Sequence, residues 1–451
     1  MSLNTASEAL DSAKEITERG LDFLRSHSNP EEQQVFLYDL SHASSAIAIA
    51  ESFLSFAEKG EEEKGIVELF CADTLRAVAA MCLGREDIWS LQSSTLDILN
   101  QYVAEHGTPQ KYSIASLSSQ KSHLSDELEL VAKTFRRFGK DHIEHLAEEV
   151  HRKDLDVPEE IIAGLAQMGC FGLSIPEEYG GSASGSIKDM YGMVIATEEL
   201  SRASLSIGGS LITRPEILAR AIENGGTDEQ KRTLLPKIAS GDLMSAVAVT
   251  EPDHGSDVAS IAMSARLEPS GGWKLNGVKT WCTFAGRADL LMVLARTNPD
   301  TSQGHRGLSV FVVEKERADG HSFDFQQESG GRMQGKAIPT LGYRGMHSFE
   351  IAFQDWVVPE GSLIGGIEGE GKGFYLQMAG FENGRLQTAA RAVGVMQRAY
   401  EEAVNYSQER NVFNNSLSSY ELTQVKIGRM AAIIQACRQY TYDVAEKMSM
   451  G

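Results

Sequence analysis

The chain predicts an α+β protein of several domains, helical at both ends with a small β domain between. Three observations carry this reading. Its 451 residues exceed one ordinary hydrophobic core and suggest about three domains. Apolar residues recur near helical spacing up to about residue 241 and again after Gly373, whereas between Ala246 and Val358 the period is that of strands. At 42% apolar and 23% charged, the composition is that of a packed globular protein.

The elements follow in order. Leu21, Phe23 and Leu24, then Val35, Phe36, Leu37 and the run from Ile47 to Phe56, predict a helical block that continues from Ile66 through Ala80. Gly107 to Ser119, poor in large apolar residues, reads as a linker. From Leu124 the helical pattern returns, with Ser125 as a cap, Glu127 and Glu129 in the first turn, and Val131, Phe135 and Phe138 on one side, followed by Leu146 and Val150. Pro176 and Gly180-Gly181 interrupt it before further helices at Met190–Leu200 and Pro215–Ala221. Short β-rich runs follow at 247–250, 273–275, 290–295, 308–313 and 349–353, with Asn276-Gly277 as a hairpin signal. Helices are expected again from Phe374 to Tyr406 and from Leu422 to Met448.

A formal net charge of −21 argues against a nucleic-acid binder and suits either a basic protein partner or simple solubility. Five scattered cysteines without CxxC spacing predict reduced thiols in a cytoplasmic protein, not a disulfide framework or zinc site. The N-terminus lacks a secretory pattern and no apolar run is long enough for a bilayer, so no membrane insertion is expected. Residues 366–372 mimic the start of a phosphate-binding loop, but Gly373 replaces the hydroxyl that would hold magnesium. His142 and His145 have the spacing of one helix face with Glu148 nearby, a pattern most simply solvated, and no metal is expected. No GxGxxG follows a strand, so a nicotinamide cofactor is not indicated.

The richest segment for chemistry is Val249-Thr250-Glu251-Pro252-Asp253-His254-Gly255-Ser256-Asp257, which leaves a strand through a proline turn. Its backbone N–H groups and hydroxyls suit a flavin edge or a phosphate, although as spacing alone a surface turn is the plainer reading. Further on, Lys279-Thr280-Trp281-Cys282-Thr283 offers an aromatic wall and a hydroxyl; by itself Trp281 is equally a core residue.

With the surrounding chain, these residues closely resemble the acyl-CoA dehydrogenase family. The matching stretches are IPEEYGG (175–181), EELSRAS (198–204), GTDEQKRTLLPKIASGD (226–242), VTEPDHGSD (249–257), LNGVKTWCT (275–283), EGKGF (370–374), GRLQTAARAVG (384–394) and RNVF (410–413), in family order over roughly residues 124–451. The resemblance implies an acyl-CoA dehydrogenase-like fold. An α-helical domain (120–243), a β-barrel or sandwich domain (244–362) with the flavin and CoA contacts, and a C-terminal helical domain (363–451) would follow an N-terminal helical extension (1–115). FAD is the implied cofactor. Val249, Thr250, Trp281 and Thr283 would contact the flavin, with Gly255 and Ser256 in the adjoining loop. Ser256 would touch the CoA arm with Arg385 near it, and Arg410, Phe413 and Gln424 would hold FAD across a subunit interface of a homo-oligomer, dimer or tetramer. The implied reaction is α,β-dehydrogenation of an acyl-CoA, with electrons passing to an electron-transfer flavoprotein.

The sequence departs from the family in two places. The family's usual base is a C-terminal Glu in a motif expected beyond residue 451, so the third domain reads as truncated. In the isovaleryl branch the base precedes the arginine matched by Arg385; that position is Gly384, and Glu382 lies about 200° around the helix from it. No catalytic residue is assigned, and a silent flavin- or CoA-binding member stays open. The N-terminal extension resembles a branch whose substrate bears a free carboxylate, and Arg214 is the residue expected to clamp it, a helix-start arginine being the plain alternative. Other short, branched or dicarboxylic thioesters are the alternative substrates. A flavin monooxygenase of the same fold is disfavoured by Ser256 and Arg385.

Overall fold

The computed structural model describes residues 2–91, 93–269 and 271–450. Helices α1 (Ser2–Arg25), α2 (Gln34–Phe53), α3 (Glu61–Cys82), α4 (Ser93–His106) and α5 (Pro109–Ala115) come first. Helices α6 (Asp126–Phe138), α7 (Glu144–Lys153), α8 (Glu159–Gln167), α9 (Ile187–Ala203), α10 (Thr213–Gly225) and α11 (Asp228–Ala239) follow. Strands β1 (Ser245–Ala248), β2 (Ser264–Leu267), β3 (Trp273–Thr283), β4 (Leu290–Arg296), β5 (Leu308–Glu314), β6 (Ser322–Gln326), β7 (Arg332–Ala337) and β8 (Ser348–Val358) come next. Helix α12 (Gly373–Glu409), the minimal hairpin β9 (Asn411–Val412) and β10 (Asn415–Ser416), and α13 (Glu421–Met450) complete the chain.

Contacts divide the chain into two compact units. The first is Met1–Ser125 with Met396–Lys447. Its core runs from Leu10 and Ile16 through Phe53, Leu69 and Trp89 to Tyr112, and Ala432 and Ala436 of α13 belong to it. Gly428 makes that approach possible, since a Cβ there would lie 2.1 Å from the Tyr112 carbonyl oxygen. Arg429 donates to Asp73 at 3.1 Å and to the Tyr112 hydroxyl at 3.2 Å. The N-terminal helices therefore cover a face of α13. The segment expected as a linker is instead helix α5, started by Thr108-Pro109 and anchored by buried Tyr112 and Ala115. Val35 and Leu37 are exposed, and Phe36 between them is the residue that enters the core.

The second unit is Asp126–Val395 with Met448–Gly451. Among the described residues its sheet has eight strands in the order β1-β4-β2-β3-β8-β7-β6, with β5 paired to β4. Strands β4 and β5 are buried on both faces, and their alternation divides them between two cores. Leu291, Val293, Phe311 and Val313 join the core shared with α6–α9, whereas Leu290, Met292, Leu294, Val310 and Val312 face α10 and α11. Asn276-Gly277, expected as a hairpin turn, lies inside β3. There the pairing with β8 shifts register between Leu275 and Gly277. Gly277, at φ 149, is required because a Cβ would sit 2.7 Å from that of Met263.

Candidate active site

Strand β3 shifts register a second time, between Lys279 and Cys282, and Trp281 within that step has φ 58. A bulky residue in the left-handed region costs about 1–3 kcal/mol and persists only where its surroundings over-determine it. Here the result is an indole 56% exposed on a strand whose neighbours Thr280, Cys282 and Thr283 are buried. Trp281 is thus not a core residue. Beside it, the Thr283 and Ser348 hydroxyls share a hydrogen bond at 2.9 Å.

Lys279 fixes this strand to the loop that leaves β1. Fully buried, it donates to the Val249 carbonyl and to Glu251 Oε1, each at 2.8 Å. Glu251 accepts from the Ala262 and Met263 N–H groups at 2.7 and 2.9 Å. Burial pushes the Glu251 carboxyl up, but Lys279 and these N–H donors outweigh it and hold the group below its ordinary range. The Thr280 N–H donates to Thr250 O at 2.8 Å, closing the loop base. Beyond it Gly255 and Ser256 are exposed. An open indole, a buried hydroxyl pair and a pinned loop with exposed backbone fit the ring edge and phosphates of a flavin dinucleotide. The spatial pair Glu251–Lys279 was not singled out from sequence; a buried lysine inside a β run was its only signal.

Arg214, in the first turn of α10, is held by its backbone: Ser245 Oγ donates to Arg214 O at 3.0 Å. Its Nε is buried without a hydrogen-bond partner. Its charge is felt at Cys282, the residue after Trp281, whose thiol burial pushes up to about 12 while Lys279 and Arg214 pull it back. It is also felt at Arg391 of α12, a guanidinium lowered first by burial, with the like charge of Arg214 adding to that. Arg391 donates to Tyr343 at 3.1 Å and Ser210 at 3.3 Å, and its Nε is also buried and unpartnered. Arg214 and Arg391 thus bring like charge to one neighbourhood, each with a buried, unpartnered Nε. Arg391, not singled out from sequence, lies one turn and a half beyond Arg385, which is exposed on α12.

Between α10 and α12 lies a buried carboxyl. Glu216 accepts from Asn383 Nδ2 at 2.9 Å, while its Oε2 has no partner. Burial pushes it up to about 7, against the pull of Asn383 and Arg220. Its neighbourhood includes a cavity of about 10 Å³ lined by Phe171, Met193 and Gln387, room for about one water. Gly384 follows Asn383, and a Cβ there would meet Ile217 Cδ1 at 3.5 Å, ordinary contact. Glu382 and Asn383 instead line an open pocket with Asp189, Arg220 and Asn224.

In the first unit, Phe413 is 86% exposed with φ 51 at the tip of the β9–β10 hairpin, Arg410 is exposed, and Gln424 donates to Ser418 O at 3.0 Å. His142 falls in a π-turn (Gly139–Ile143) ahead of α7, so it does not share a regular helix face with His145. The five cysteines are free. Among the described residues no helix is long and apolar enough to cross a membrane.

Models of the acyl-CoA dehydrogenase N-terminal, middle and C-terminal domains match residues 125–242, 246–356 and 371–451. The (2S)-methylsuccinyl-CoA dehydrogenase of Cereibacter sphaeroides is 41% identical over 73% of this chain, which spans only 58% of that relative. An acyl-CoA dehydrogenase of Bacillus subtilis is 32% identical over 73% of this chain and 81% of its own. Among solved structures, glutaryl-coenzyme A dehydrogenase with glutaryl-CoA superposes at TM-score 0.66, with 28% identity over 73% of this chain and 79% of the other. A structure described as the electron transferring flavoprotein of Acidaminococcus fermentans superposes at 0.65, with 30% identity over 73% and 81%. The chain belongs to the acyl-CoA dehydrogenase family, FAD-dependent oxidoreductases of the CH–CH bond of acyl-CoA, and has that family's fold of helical domains around a central curled sheet.

Proposed function

We propose that this chain is built for FAD-dependent α,β-dehydrogenation of a carboxylate-bearing acyl-CoA, methylsuccinyl-CoA to mesaconyl-CoA in the ethylmalonyl-CoA route. The observation that carries the substrate is the pair Arg214 and Arg391, each with a buried, unpartnered Nε. A free acyl carboxylate between them satisfies both, whereas a monocarboxylic thioester leaves them repelling. The 41% identical relative is a dehydrogenase of such a thioester, which supports this choice over other short or branched acyl groups.

FAD, when bound, supplies the acceptor for the β-hydrogen. The chain's own residues do the rest. Trp281 walls the ring, Thr283, Thr250 and the Val249 backbone offer edge contacts, and the Glu251–Lys279 pair keeps loop and strand in register without moving on binding. Ser256 and Arg385 take the CoA arm. Removal of the α-proton needs a carboxylate, because the thioester α-carbon is otherwise a very weak acid. At the position where the isovaleryl branch carries one, this chain has Gly384, which favours a silent flavin- and CoA-binding member as the second reading. Arg410, exposed Phe413 and Gln424 are assigned to FAD across a homo-oligomer interface. Electron-transfer flavoprotein is the partner, consistent with one structural neighbour. Five free cysteines suit a cytoplasmic setting.

The test is Arg214→Ala, with binding of methylsuccinyl-CoA and butyryl-CoA measured by titration. Losing a desolvated charge-assisted pair costs about 1.5–3 kcal/mol, so the dicarboxylic thioester weakens by about 10- to 150-fold and the monocarboxylic one hardly changes. Equal effects on both, or none, remove the assignment.

A further inference from the structure

Three potential metal ligands converge where the loop after α7 meets the sheet. Helix α7 ends on Asp154 in the left-handed conformation, at φ 54. Asp154 faces His321, just before β6, and His347, just before β8. His321 Nε2 lies 3.3 Å from Asp154 Oδ2, and His347 Nδ1 lies 3.8 Å from Asp154 Oδ1. One ligand atom from each of the three lies within 4.8 Å of the others. In a tetrahedral zinc site with bonds of about 2.0–2.1 Å, neighbouring ligand atoms stand about 3.3 Å apart. One edge already has that length, and the others close by small side-chain rotations.

The surroundings are those of a metal site as well. His347 is only 7% exposed, and its Nε2 sits 3.2 Å from Asp156 Oδ1. With Nδ1 bound to a cation, Nε2–H turned to Asp156 completes a carboxylate–histidine–metal relay. Asp156 is itself anchored, accepting the Gly320 N–H at 2.6 Å next to His321. The set holds two imidazoles and a carboxylate with no thiolate, the choice of zinc and related divalent ions, and it leaves a coordination position for water. Arg344 opposes binding: its Nε is 3.8 Å from Asp154 Oδ1, although the side chain is engaged by the Thr340 and His151 carbonyls.

We propose that Asp154, His321 and His347 form a binding site for a divalent transition metal of the zinc class, oriented by Asp156, which clips the loop after α7 to the sheet. The activity proposed above does not require it.

The experiment is calorimetric titration of Zn2+ into the chelator-treated full chain, with the metal content of the dialysed protein measured in parallel. One Zn2+ per chain is expected. His321→Ala, at an exposed position that leaves folding intact by far-UV circular dichroism, weakens it at least 10-fold. Asp156→Asn keeps the stoichiometry and weakens affinity about 10- to 100-fold. The combined His142→Ala/His145→Ala variant binds as the parent does. Absence of binding in the parent, binding unchanged in His321→Ala, or binding lost only in the His142/His145 variant overturns the proposal.

Discussion

Replacing Glu216 by Gln removes a carboxyl that the fold keeps fully buried and half satisfied. The group rises from an ordinary value of 4.5 to about 7, chiefly through burial. A folded pKa above the unfolded one means that the native state binds more protons between those values, so stability falls as pH rises from about 4.5 to about 7 and levels off above. The shift of about 2.5 units corresponds to about 3 kcal/mol of destabilisation at pH 8, absent near pH 4. Gln keeps an acceptor for Asn383 and carries no charge. The variant should therefore match the parent near pH 4.5 and exceed it by up to about 3 kcal/mol at pH 8. Urea unfolding followed by far-UV circular dichroism across that range measures the difference. A difference independent of pH, or a parent more stable than the variant at pH 8, refutes the assignment of a buried carboxyl with a raised pKa.

Lys279→Met leaves Glu251 buried without its cation and should cost about 3–5 kcal/mol in thermal or urea unfolding, with the double change Lys279→Met/Glu251→Gln recovering part of it. Trp281→Ala should leave stability nearly unchanged, because the ring is 56% exposed, while FAD affinity by fluorescence titration falls at least 10-fold. Trp273→Ala, at 3% exposure, is the contrast: it should cost about 3–5 kcal/mol by the same unfolding measurement.

Much of the fold was legible because periodicity reports burial. The β4 and β5 runs are apolar throughout since both faces pack, and α10, α12 and α13 keep a helical repeat. The misreadings share a cause, in that a local signal was settled by a distant neighbour. Asn276-Gly277 carries turn chemistry, yet Met263 demands the glycine for close packing inside a strand. Helix α5 was passed over because it is anchored by Tyr112, through Arg76 and Asp73, and not by a run of aliphatics. In the candidate site, Trp281, Thr283 and the 249–257 loop were proposed through motif resemblance. Glu251–Lys279, Arg391 and Glu216 were not, since each owes its character to residues brought beside it by folding.

The proposed site holds FAD against Trp281 and a carboxylate-bearing thioester beside it, with Gly384 at the position where the isovaleryl branch carries its base. Gly384→Glu tests it most directly, because the added Cβ meets only ordinary contact with Ile217. FAD-loaded parent and variant would be titrated anaerobically with methylsuccinyl-CoA while the flavin absorbance is recorded. Binding should perturb the flavin spectrum of both chains, and a carboxylate at position 384 should make bleaching in Gly384→Glu faster than in the parent. Bleaching no faster in Gly384→Glu than in the parent would contradict a base role for position 384, and no spectral change in either would contradict the site itself.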